Sequence, residues 1–69
     1  MVFNIQSSNI VKVGYVPAKR VMFVQFVKGG VYAYAGVASC VFSGILKTPS
    51  AGRYFTSYIK NAHPCKRVA

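Results

Sequence analysis

The residues able to do chemistry gather in two short stretches. In the first, Lys47, Thr48, Pro49, Ser50, Ala51, Gly52 and Arg53 set two cations, two hydroxyls and a glycine around a candidate helix start. Free backbone N–H groups at a helix N-terminus, a hydroxyl and an arginine fork are what it takes to hold a phosphate, and glycine lets an anion approach the main chain closely. The same residues also admit a structural reading, in which Ser50 caps the helix and Lys47 and Arg53 are solvated. The second stretch, Lys60, His63, Lys66 and Arg67, follows Tyr58. Cations beside an aromatic ring suit nucleotides, because charge meets phosphate while the ring stacks on a base. Tyr58 reads equally well as a core residue.

Catalysis has little to work with. The 69 residues include no Asp and no Glu, so the carboxylates of acid–base and metal-ion chemistry are missing, and His63 has none to orient it. Cys40, His63 and Cys65 lack the paired ligand spacing of structural zinc sites. A non-enzymatic protein without metal or cofactor is expected, acting by binding. Nine Lys or Arg against no acid give a net charge of +9, which attracts anions and makes a phosphate-bearing partner the first expectation.

The elements that must position these groups follow from pattern. With 54% hydrophobic residues, five Phe and five Tyr, the chain is too apolar for a disordered basic tail. One domain over 1–69 is expected, and its small core makes self-association a natural source of added stability. Ile10 to Tyr15 and Arg20 to Val27 read as strands separated by a turn at Pro17. Lys28-Gly29-Gly30 reads as a hairpin turn into a third strand, Val31 to Ala35. Past Gly36, Ser39 is a candidate cap for a helix ending near Lys47, and Thr48-Pro49 stops it. Ser50 opens a second helix to about Asn61 that places Tyr54, Phe55, Tyr58 and Ile59 on one stripe. The tail from Cys65 reads as loosely held. The expected class is α+β: a small three-stranded antiparallel β-meander followed by two helices.

In that order the motifs resemble a KTSC domain, a short module found at the C-terminus of some lysyl-tRNA synthetases and as free-standing bacterial and phage proteins. The resemblance rests on Ser7-Ser8-Asn9-Ile10, Gly14-Tyr15 with Pro17, Phe26 followed by Gly29-Gly30-Val31-Tyr32-Ala33-Tyr34, Val37, and Ser50-Ala51-Gly52-Arg53-Tyr54-Phe55 leading into Ile59. It spans about Ser7 to Arg67. It implies a β-meander followed by helices and association with nucleic acid, and it implies no catalytic residues. Val16 stands where relatives usually carry an acid, and Ala38 where they carry a proline.

Strand alternation then gives a second surface. If Met22, Val24 and Phe26 face the helices, the opposite face presents Val21, Phe23, Gln25 and Val27, continued by Val31, Ala33 and Ala35. A contiguous apolar face in a small protein marks an interaction site. Val21, Phe23, Val27, Val31 and Ala33 are therefore candidate homo-oligomer contacts, the competing reading being that Met1 to Ile5 or the C-terminal tail folds across them. Tyr32 and Tyr34 fall on the helix side and read as core.

Two ligand classes remain open. Lys12, Lys19, Arg20, Lys28 and Lys60 are spread as RNA or DNA binding requires, whereas the compact Lys47-to-Arg53 segment suits a small anionic nucleotide. Such a ligand would fit a phage protein that sequesters a cyclic nucleotide signal. An inhibitor of an acidic protein surface is a further alternative. The first residues lack a basic, apolar leader, and no run reaches membrane-spanning length. A cytoplasmic protein with reduced thiols is expected, in a bacterium or a phage-infected one.

Overall fold

The computed structural model describes residues 2–69; Met1, part of the segment considered as a cover for the sheet, lies outside them. The chain runs β1 (Val2–Asn4), β2 (Ile10–Val16), β3 (Val21–Phe26), β4 (Val31–Tyr34), α1 (Ser39–Lys47), α2 (Ala51–Phe55) continued by a π-helical stretch (Thr56–Lys60), and β5 (Cys65–Arg67). Every strand pairs antiparallel with its sequence neighbour, in the order β1-β2-β3-β4-β5. The α+β class holds, with two strands beyond the expected meander. No helix among the described residues is long and apolar enough to cross a membrane.

The two turns of the meander follow from local chemistry. Pro17 fixes its own backbone angle, and the N–H of Lys19 donates to the Val16 carbonyl at 3.1 Å. Arg20, which the sequence assigns to the next strand, instead closes this turn with φ 54°, and its carbonyl accepts the Val37 N–H at 2.9 Å. The second turn needs its glycines: Gly29 has φ 142° and Gly30 φ 77°, angles that L side chains rarely adopt.

Both termini depart from expectation. Instead of lying loose, Cys65–Arg67 pairs with β4, setting Tyr34, Ala33 and Tyr32 opposite Cys65, Lys66 and Arg67. Val2–Asn4 pairs with β2 in the same way. An exposed strand edge offers unpaired N–H and C=O groups, and the chain's own ends satisfy them here. Both described ends thus extend the sheet sideways, as edge strands, instead of lying across its outer face.

The core lies between sheet and helices. Met22 and Val24 are fully buried, as the alternation requires, and share one core with Phe42, Ile45, Phe55 and Ile59. The Tyr15 ring stacks on Phe42 at 4.8 Å while its hydroxyl donates to the Val37 carbonyl at 2.6 Å. Phe55 stands edge-on to Phe26 at 5.5 Å and to Tyr34 at 5.4 Å. Each such side chain contributes about 1.5–3 kcal/mol by burial.

Neither expected cap operates as read. Ala38, not Ser39, occupies the cap position of α1, and Ser50 holds that of α2 without a side-chain capping bond. Beyond Phe55 the second helix widens into its π turn, where the Thr56 hydroxyl donates to the Gly52 carbonyl at 3.0 Å. A hydroxyl bonding back to the carbonyl four residues earlier competes with the helix ladder and loosens it locally.

Candidate functional site

The site is built where α1 meets α2. Tyr54 lies across α1: its hydroxyl donates to the Val41 carbonyl at 2.8 Å, and its ring occupies the space that a Cβ on Gly44 would fill. Burial is the main reason its phenol is pushed above the ordinary pKa, with Tyr58 and Cys40 adding to the shift. Four residues on, the Tyr58 ring leans on Tyr54 with centroids 4.7 Å apart and a 44° tilt. Tyr58 is 57% exposed, so it is a surface ring. Phe55 and Ile59, one position along at each turn, take the core-facing places.

Around that ring, Lys47, Ser50, Arg53 and Tyr58 line one depression of about 560 Å³. Two cations, a hydroxyl and an exposed aromatic face therefore share a single concavity. No carboxylate side chain exists in the chain to pair with either cation.

A second depression, of about 510 Å³, shares Ser50 and Arg53 with the first and passes over Gly52 to Ser7, Ser8 and Asn9. A Cβ at Gly52 would lie 3.6 Å from Ser7 Oγ and 3.9 Å from Asn9 Nδ2, so glycine keeps this gap open. The facing wall is ordered by its own bonds: the Asn9 N–H donates to Ser7 Oγ at 3.2 Å and the Ser8 hydroxyl to Asn9 Oδ1 at 3.4 Å. In the sequence Ser7-Ser8-Asn9 is part of a motif with no role attached. Its placement beside Gly52 is a tertiary contact with no local signal.

The second basic set does not form one patch. Lys60 ends the π stretch and lines a cleft of about 330 Å³ with Lys28, Gly52 and Thr56. Strand alternation sends Lys66 to the outer sheet face opposite Ala33, and Arg67 to the helix side opposite Tyr32, where its Nε donates to the Ala69 carbonyl at 3.0 Å. His63 is half-buried, with Nδ1 enclosed and unpartnered. Tyr32 is edge-on to Phe26 at 5.7 Å. Tyr34 is buried, and its phenol is pushed up to about 12, chiefly by burial and then by the neighbouring Cys65.

On the outer face, register aligns Val2, Gly14, Phe23, Ala33 and Lys66 in one row and Asn4, Lys12, Gln25 and Val31 in the next. Val21, Phe23, Val31 and Ala33 thus share the face assigned to them. Val27 lies past the end of β3; its N–H donates to the Asn9 carbonyl at 2.8 Å, and its side chain lines the Lys60 cleft instead.

The family profile described as KTSC domain matches residues 6–63. The chain is 34% identical over 59 residues to an uncharacterized protein of Stutzerimonas stutzeri (strain A1501), covering 86% of this chain and 83% of that one. A protein of Tsukamurella paurometabola is 34% identical over 56 residues, covering 81% and 84%. Among solved structures, the crystal structure of the KTSC domain protein YPO2434 from Yersinia pestis is similar with a TM-score of 0.96 at 30% identity, covering 100% of this chain and 97% of that one. Profile, relatives and fold agree over nearly the full length, and the chain belongs to the KTSC domain family.

Proposed function

We propose that the protein binds phosphate-bearing ligands, nucleic acid or nucleotide, without changing them, in the groove between α1 and α2. One observation carries this reading: an exposed Tyr58 ring shares a concavity with Lys47 and Arg53 in a chain with no acid to neutralise them. The ring offers a face to a base while the cations and the Ser50 hydroxyl meet phosphate. The cytoplasm is the proposed place of action, because two exposed free thiols, Cys40 and Cys65, suit a reducing compartment.

The test is a titration of fluorescent single-stranded RNA, duplex DNA and cyclic nucleotides against nuclease-treated protein, repeated with Tyr58→Ala and Arg53→Ala. Losing a stacking ring costs about 1–3 kcal/mol per base, so Tyr58→Ala is expected to weaken binding by at least fivefold. Its melting temperature should fall only modestly, because more than half of the side chain is in solvent and its one ring contact among the described residues is with Tyr54. Absence of binding to every ligand, or binding indifferent to both substitutions, would refute the proposal.

Self-association through the outer sheet face is its second element. The supporting observation is that both described chain ends pair at the sheet edges, so that among the described residues neither terminal strand lies across the half-buried Val21, Phe23, Val31 and Ala33.

A further inference from the structure

The depressions on the helical side run into one another. The one holding Tyr58 and Lys47 shares Ser50 and Arg53 with the one floored by Gly52. That one shares Asn9 and Thr56 with the Lys60 cleft. The cleft in turn shares Lys28 and Lys60 with a fourth depression, of about 500 Å³, that reaches Tyr32. Sharing walls in this way, the four depressions follow one another from an exposed ring, Tyr58, to a half-buried one, Tyr32. Cations stand along this course in the order Lys47, Arg53, then Lys60 with Lys28. Between them lie small neutral polar groups, Ser7, Asn9 and Thr56, and no acid.

A mononucleotide would occupy one of these depressions and leave Lys28 and Lys60 without a role. Resting on the ligand class proposed above, we infer that the four depressions form one groove that binds a single-stranded polynucleotide, its backbone passing from the Tyr58 end over Gly52 to the Lys28–Lys60 end. A cationic groove with rings along its course is the form that tracks a single strand. A duplex shows only base edges in its grooves, so the face of Tyr58 has a use only when bases are unpaired. The longest dimension of the molecule, 28 Å, limits the bound stretch to about eight nucleotides at ~3.4 Å per stacked step. Gly52 is where the strand crosses the second helix most closely, because no side chain stands between the Ser7–Asn9 wall and the helix.

Four cations in contact with a single strand give log K a slope of about −2.8 against log salt, at −0.7 per neutralised phosphate. Raising salt from 50 to 200 mM then weakens binding about 50-fold by the same relation.

The experiment uses fluorescein-labelled oligothymidylates and oligouridylates of two, four, eight and twelve nucleotides, with a hairpin duplex as comparison. The two series distinguish DNA from RNA as the source of the strand. Affinity is expected to rise with length to about eight nucleotides and then level off. The double variant Lys28→Gln/Lys60→Gln should lower octamer affinity several times more than dinucleotide affinity, and should cut the salt effect to about sevenfold. A dinucleotide bound as tightly as the octamer, a double variant with an unchanged salt slope, or a hairpin bound as well as the octamer would each overturn the single-strand track. The first two leave the Tyr58–Arg53 site standing if Tyr58→Ala still weakens the dinucleotide. If no oligonucleotide of any length binds, the track falls, while binding of a cyclic nucleotide in the titration above would leave the ligand class standing.

Discussion

Gly44→Ala reverses the usual sign of a helix substitution, and it does so through the ring that supports the proposed site. Replacing an interior helical glycine by alanine ordinarily gains about 1 kcal/mol. Here the new Cβ would occupy the position of the Tyr54 ring, and α1 and α2 hold that position from both sides. Tyr54 must therefore leave. Its departure costs the hydroxyl bond to Val41, 2.8 Å in the native fold and worth about 1 kcal/mol net, plus a large part of the roughly 1.5–3 kcal/mol that burial of such a ring provides. Set against the propensity gain, the net loss is about 1–2 kcal/mol, which at about 4–8 °C per kcal/mol for a domain of this size lowers the melting temperature by roughly 5–15 °C. Circular dichroism melts of the single variants and of Gly44→Ala/Tyr54→Ala measure this directly. With the ring gone the clash disappears, so Gly44→Ala in the Tyr54→Ala background should stabilise by about 1 kcal/mol, giving a coupling of about 2–3 kcal/mol between neighbours. A rise in melting temperature for Gly44→Ala alone, or strict additivity in the cycle, would refute the reasoning. Because Tyr58 rests on Tyr54, ligand affinity should fall with stability.

Gly52→Ala should behave in the opposite way. Its Cβ meets only ordinary contacts at 3.6 Å and 3.9 Å, so the melting temperature should rise, by up to about 1 kcal/mol of stability, while oligonucleotide affinity drops as the gap to Ser7 and Asn9 narrows. An unchanged affinity in titration would show that no ligand passes there. Tyr34 gives a pH dependence: its pKa of about 12 in the fold lies above the ordinary value near 10, so the folded state keeps a proton that the unfolded chain releases. Its stabilising contribution is complete below pH 10 and is lost as pH rises toward about 12; the unfolding free energy from urea melts should fall more steeply with pH across that window in wild type than in Tyr34→Phe, and equal pH slopes would count against the buried phenol. Phe23→Ser removes the central apolar side chain of the outer sheet face, so light scattering should report smaller particles than wild type with the far-ultraviolet spectrum preserved; a wild type that is monomeric at high concentration would remove the self-association proposal altogether.

The parts of this fold that the sequence makes legible are those whose side chains repeat. Met22 and Val24 against Phe23 and Gln25, or Tyr32 and Tyr34 against Val31 and Ala33, alternate with period two and fix both the strands and their faces. Adjacent Gly29 and Gly30 announce their turn. β1 and β5 are three exposed residues each and carry no alternation; what makes them strands is the pair of open edges on β2 and β4, which exists only once the meander has formed. Reading the tail as loose also hid the parting of Lys66 from Arg67, because only a strand sends neighbours to opposite faces. Tyr58 stays open between surface and core in the sequence for a different reason: positions 54, 55, 58 and 59 all fit one helical stripe, yet the sheet accepts only Phe55 and Ile59, while Tyr54 is taken by α1 and Tyr58 is left outside. The chain-wide lack of acid pointed to an anion but could not say where, since cations occur on every surface. Folding divides them by place: Lys47 and Arg53 line one depression on the helical side and Lys28 and Lys60 its neighbours, whereas Lys12 and Lys66 lie on the outer sheet face with Phe23. Two such faces brought together place like charges near one another, so salt that weakens the groove's hold on phosphate should strengthen sheet-to-sheet association, and the opposite response of the two surfaces follows from a composition with only one sign of charge.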